Sequence, residues 1–139
     1  MAEREQNSRI RFEDVELKQL PDSRCSSRVV LAWHRGEQFV GTAEGVTSEI
    51  GMLRCAAEAT ARALEAAVDN RIKLELLGIT TIKAFDAVIV VVSLASRFSE
   101  HSQRIVGSSV IDGDPARAAA RAVLSATNRL LGSNLIYLR

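Results

Sequence analysis

Apolar and polar positions alternate along much of the first third of the chain. From Ile10 to Leu20 the apolar residues Phe12, Val15, Leu17 and Leu20 alternate only loosely, which predicts a first strand. Pro21-Asp22-Ser23 ends it with turn chemistry. Arg28 to His34 is expected as a second strand, with Val29, Leu31 and Trp33 on one face and Val30 and Ala32 on the other. His34-Arg35-Gly36-Glu37 predicts a hairpin turn, and Gln38 to Val46 the returning strand.

The period then changes. Thr47 or Ser48 caps a helix expected to reach about Asn70. Ile50, Leu53, Ala57, Thr60, Leu64 and Ala67 recur on one face, while Arg54, Glu58, Arg62, Glu65 and Asp69 form a solvated face. Three further strands are expected at Ile72 to Lys83, Phe85 to Phe98 and Arg104 to Ile111, with Ser99 to Gln103 as a polar hairpin tip. The run Ala87-Val88-Ile89-Val90-Val91-Val92 predicts burial on both faces. Asp114 suits an N-cap and Pro115 the first helical position of a last helix reaching about Leu131. Ala116, Ala119, Ala120, Val123, Leu124, Thr127 and Leu130 form its apolar face, and Arg117, Arg121, Ser125 and Arg129 its outer face.

Both halves thus read strand–strand–strand–helix. Ala59-Thr60-Ala61-Arg62-Ala63-Leu64 aligns with Ala126-Thr127-Asn128-Arg129-Leu130-Leu131, and Phe39-Val40-Gly41-Thr42 with Ile105-Val106-Gly107-Ser108. One such unit exposes too much apolar surface to stand alone. Two packed together predict an α+β, two-layer domain of duplicated βββα units, with both helices on antiparallel sheet. The expected boundaries are a disordered tail over residues 1–9 and one domain over 10–139, made of repeats at about 10–70 and 71–131.

The stretch from Ile105 to Leu131 carries a Gly107-Ser108-Ser109 turn, an alanine-rich helix after Asp112-Gly113-Asp114-Pro115, and a closing Asn128-Arg129-Leu130. In these features it resembles the C-terminal regulatory domain of α-isopropylmalate synthase. That domain is also built from two βββα units and serves as an allosteric, dimer-forming, leucine-binding module. The specific match covers about 27 residues, and the duplicated pattern extends it weakly over residues 10–131. The catalytic barrel and the synthase's metal-binding residues have no counterpart here. The resemblance therefore implies the fold and ligand sensing, not synthase activity.

Composition changes the picture in a few places. A chain of 139 residues with net charge +1 and 4% aromatics lacks the basic excess and stacking platform of a nucleic-acid binder. No apolar run reaches membrane-spanning length, and the charged start MAEREQNSRIR is no signal peptide. Arginine outnumbers lysine fifteen to three, a bias of the kind genome composition produces. Two cysteines make neither a disulfide framework nor a zinc site. Cys25 is expected in a polar loop and Cys55 in a helix core, both reduced, in a cytoplasmic protein. His34 and His101 read as turn residues, and no metal or other cofactor is expected.

Gly107, Ser108, Ser109, Asp112, Gly113 and Asp114 precede a helix N-terminus, whose free N–H groups favour an anionic group. The first repeat offers a parallel set at Thr42 and Gly45, followed by Thr47 and Ser48. Capping is the plain alternative, and Asp112 and Asp114 repel an anion. Arg117, Arg121 and Arg129 are candidates for an acidic partner or a solvated face, and Trp33 for core or an interface anchor. No P-loop, GxGxxG, HExxH or nucleophile elbow occurs. The reading is a non-catalytic module that pairs with itself as a homodimer or higher oligomer, and binds a small metabolite or a partner enzyme. An assembly protein, or a small enzyme with a pocket at a subunit interface, are the other readings.

Overall fold

The computed structural model describes the backbone of residues 9–138 and the side chains of residues 9–130, that of Arg129 apart. Of the expected tail only Arg9 falls within the described residues. The chain forms β1 (Arg11–Leu20), β2 (Arg24–Ala32), β3 (Gln38–Val46), α1 (Glu49–Ala67), β4 (Ile72–Ala84), β5 (Ala87–Phe98), β6 (His101–Val110) and α2 (Pro115–Leu138). Two antiparallel meanders result, β1-β2-β3 and β4-β5-β6, each followed by its helix. This is the α+β, twice-repeated βββα arrangement that the alternation and periodicity imply.

Each helix lies mainly on its own sheet and also reaches the first strand of the other: α1 touches β4, and α2 touches β1. The helices touch each other too. Consequently α1 is buried over most of its circumference, and alanine supplies six of its buried positions. Small side chains let a helix approach two neighbours at once.

The closest approach is made at two equivalent glycines. A methyl group on Gly41 of β3 would lie 2.0 Å from the Ala59 carbonyl oxygen and 2.3 Å from the Ala63 nitrogen. On Gly107 of β6 it would lie 2.2 Å from the Ala122 oxygen and 2.4 Å from the Ala126 nitrogen. The strands therefore match as the sequence repeat aligns them. The helices do not: the seat pairs Ala59 with Ala122, one turn before the Ala126 that sequence similarity aligns with it. Alanine repeats carry little register information, whereas a backbone contact does.

Several local expectations are corrected. β2 runs from Arg24 to Ala32 instead of Arg28 to His34; Leu20 pairs with Arg24, so Pro21, Asp22 and Ser23 form a three-residue hairpin turn with Asp22 and Ser23 at positive φ. Cys25 therefore sits in a strand and is buried, not in a loop. The expected hairpin at His34 to Glu37 does join β2 to β3, through a single 3₁₀ turn over His34–Gly36 with Arg35 and Gly36 at positive φ. Helix α1 stops at Ala67, where Asp69 and Asn70 turn left-handed and the Asn70 N–H donates to the Glu65 carbonyl.

Phe85 is not in β5; Phe85 and Asp86 form the β4–β5 turn, both at positive φ. Likewise the β5–β6 tip shrinks to Ser99 and Glu100. Strand β5 buries Val90, Val92, Leu94 and Ser96 on one face only, the other being half-buried. Helix α2 continues past Leu131 to Leu138. Ile50, the second residue of α1 and expected on its apolar face, is 46% exposed.

Glu65 departs furthest from the solvated face expected of it. It is 8% exposed. Its carboxylate accepts from Arg62 Nε at 2.8 Å and from the Leu74 backbone N–H at 2.8 Å. Arg62 in turn donates to the Leu74 carbonyl, and Arg54 to the Leu76 carbonyl at 3.4 Å. These side chains satisfy backbone groups along the outer edge of β4, which no strand among the described residues covers. The polar stripe of α1 is thus a cap on a sheet edge.

Candidate site between the two helix starts

The two units meet where both helices begin, and a cavity of about 390 Å³ opens there. Met52 and Leu53 line it from α1, Pro115 and Ala116 from α2. Leu17 of β1, Thr81 of β4, Val88 of β5 and Ile111 complete an apolar wall. Its two charged lining groups are both acidic, Glu49 and Asp114. Each stands at a helix N-terminus, where the dipole stabilises a carboxylate.

Both N-termini also satisfy their own donors. Ser48 Oγ accepts from the Gly51 N–H at 3.0 Å. Asp114 Oδ1 accepts from the Ala116 N–H at 3.0 Å and the Arg117 N–H at 3.4 Å. An incoming anion would face these carboxylates, whereas a cationic group with an apolar body matches both the wall and the mouth.

The residues singled out from the sequence are dispersed. Of the eight, Asp114 alone lines this cavity. Gly107 is the seat of α2 on β6. Ser108 is exposed on the sheet's outer face opposite Val91, and Ser109 is half-buried opposite Val90. Asp112 and Gly113 form the exposed turn before α2, with Gly113 at φ +88°. Thr42 lies on the outer face of the first sheet opposite Arg28. Gly45 lies over Cys55, whose Cβ would be 3.5 Å from an added methyl. Sequence reasoning missed Glu49, Met52 and Leu53. The signal was present in the repeat, which makes the two helix starts equivalent, but not in any spacing that says they converge.

Two other concavities are more polar. One of about 280 Å³ on the outer face of the first sheet is bordered by Glu16, Lys18, Arg28 and Glu44; Arg28 pairs with Glu16, and Glu44 with Arg24. Another of about 570 Å³ follows the β4 edge, where Arg54 and Arg62 are engaged as described.

The remaining candidates resolve individually. Trp33 is core, 1% exposed, with its ring stacked on His34 at 4.5 Å. His101 is an exposed residue of β6 paired with Phe98. Arg117 and Arg121 lie over the Phe12 ring of β1, at 5.3 and 6.0 Å from its centroid. The side chain of Arg129 lies outside the described residues. Cys25 and Cys55 are buried free thiols, and the Cys55 thiol donates to the Ala43 carbonyl at 3.4 Å. Burial, then the neighbouring Cys25, push the Cys55 pKa up to about 12.

Among the described residues no cluster of three or more His, Cys, Asp or Glu could hold a metal ion, and no helix is long and apolar enough to cross a membrane. Compared with known proteins, the chain matches no family model and no curated sequence.

Proposed function

We propose that this chain is a non-catalytic, dimer-forming regulatory module that senses a small ligand with a branched apolar body and a cationic group. The observation that carries this is the cavity between the two helix starts: it draws on both repeats, is apolar in its walls, and is acidic at Glu49 and Asp114. A ligand there would tie the two βββα units together, which is how binding at one place can alter the whole molecule. The likeness of residues 105–131 to the regulatory domain of α-isopropylmalate synthase supports the same class and points to amino acids as the ligands to try first. The two buried, unpaired thiols fit a reducing, cytoplasmic setting.

Thermal unfolding with L-leucine, isopentylamine and isovalerate tests the reading. A ligand that binds only the folded chain stabilises it by about 2.7 kcal/mol at a hundredfold excess over Kd. The expected result is a raised midpoint with leucine and the amine, none with isovalerate, and a smaller rise in Glu49→Gln. A midpoint unmoved by any of the three probes overturns it.

A further inference from the structure

The two repeats give their outer sheet faces different chemistry. Gly41 and Gly107 are equivalent seats, and strand pairing carries that match across each sheet. Glu16, Lys18, Arg28 and Glu44 of the first sheet thereby correspond to Thr80, Ile82, Val91 and Val110 of the second. The first face is charged and pairs within the chain, Arg28 with Glu16 and Arg24 with Glu44. On the second, the outward residues from Gly78 to Ile82, Ile89 to Ser93 and Val106 to Val110 carry no charge. Ile82, Val106 and Val110 are 48%, 60% and 53% exposed there. The helices lie on the opposite side, where Val90, Val92 and Leu94 are buried.

The charges of this face are gathered at its two ends. One end holds Lys73, Arg97 and Arg104 against the single acid Glu75. The other holds Asp86 and Asp112 against Lys83, which lies on the helix side opposite Val88. Arg71 and Glu100, of opposite sign, lie beyond the basic end. Among the described residues, none of Lys73, Arg97, Arg104, Asp86 and Asp112 has an ion-pair partner in its own chain. A face apolar in its middle, basic at one end and acidic at the other is complementary to itself turned end for end.

We propose that this outer face packs on the same face of a second copy, about a two-fold axis crossing the strands at Val91. The strands then run antiparallel across the interface, within the range of aligned sheet packing. Val110 meets Val106 of the second copy, and each acidic end meets a basic end. Strands running parallel would instead set Arg97 against its own counterpart. From Lys73 to Ala84 and across three strands the face measures about 40 by 15 Å at ordinary strand spacings, on the order of 600 Å². Standard interfaces use roughly 800 Å² per partner, and Phe85, 97% exposed at the acidic end, extends the face towards that size. The inference rests on the dimer-forming half of the proposed function and is independent of which ligand binds.

Sedimentation of the full chain over a range of concentrations tests it. Val91→Arg copies Arg28 of the first sheet, a residue the fold already accepts at that position. It is expected to keep the circular dichroism spectrum and a cooperative melt, while weakening self-association at least a hundredfold, because two cations meet on the axis. Ile82→Lys copies Lys18 and is expected to weaken it about tenfold. Thr42→Arg, on the first sheet's outer face, is expected to change nothing. Asp86→Asn and Arg97→Gln are each expected to cost about threefold, and together no more than either alone. A wild-type chain that stays monomeric overturns both this inference and the dimer-forming reading. A dimer that survives Val91→Arg and Ile82→Lys, or is lost equally in Thr42→Arg, overturns the face alone. Charge variants without effect overturn its antiparallel alignment. The cavity between the helix starts lies on the other side of the sheet, so Val91→Arg is expected to keep the wild-type shift with leucine or isopentylamine. A dimer lost in Val91→Arg, with no ligand shift in either protein, leaves the face standing and removes the ligand reading.

Discussion

Cys55 illustrates how a single side chain takes its chemistry from its surroundings. Among alanines on a helix it reads as a small core residue, and so it is, but its position under β3 also brings it beside Cys25. The thiol pKa rises to about 12 in the folded chain, against an ordinary value of 9.0. Above pH 9 the unfolded chain releases this proton and the folded chain keeps it. Stability is therefore unaffected below pH 9 and falls between pH 9 and about 12, by up to about 1.4 kcal/mol per pH unit. Urea melts of Cys55→Ala are expected to show a shallower loss over that window than wild type. Equal slopes would mean that the thiol ionises in place.

Glu65 makes the complementary point. It lies three residues after Arg62 on α1 and pairs with it at 2.8 Å. Spacing cannot show that a strand edge lies beneath it. An acid on a polar helix stripe is a surface residue until another element arrives, and the arrival of β4 makes it a ligand for the Leu74 N–H.

At the scale of elements, the contact between each helix and its third strand is a backbone contact. Gly41→Ala and Gly107→Ala each place a methyl against main-chain atoms that cannot rotate away. Each is expected to destabilise by about 3 kcal/mol in chemical unfolding. Gly78→Ala is the control: nothing lies within 4 Å of its added methyl, so a change within about 0.5 kcal/mol is expected. Losses of equal size at all three positions would refute the seat as a special contact. The elements themselves were largely legible, since β-branched alternation and alanine-rich periodicity are local signals. The errors cluster at turns. Asp22-Ser23, Asp69-Asn70, Phe85-Asp86 and Ser99 adopt positive φ without glycine. Phe85 alone among them lies outside the usual turn vocabulary; the Asp, Asn and Ser residues signal a turn without saying where pairing resumes, so strand ends moved by several positions.

Across the whole molecule, the repeats are not independent bodies. Helix α1 crosses to β4 and α2 to β1, and one apolar cluster includes Leu31, Leu64, Val92 and Val123 from both halves. Residues 1–70 expressed alone are therefore expected to be unfolded by circular dichroism, and to gain structure when mixed with residues 71–139. A cooperative melt of the isolated first half would show that the shared core is dispensable.

Hydrophobic periodicity, capping residues and the repeat were enough to determine that the chain makes two βββα units in an α+β fold, because each of those signals acts between residues close in sequence. Which faces meet, where the helices seat, and that Glu49 and Asp114 flank one cavity were decided by tertiary packing alone. Those relations join residues distant along the chain, and alanine surfaces leave their register open until the glycine backbones at 41 and 107 lock it.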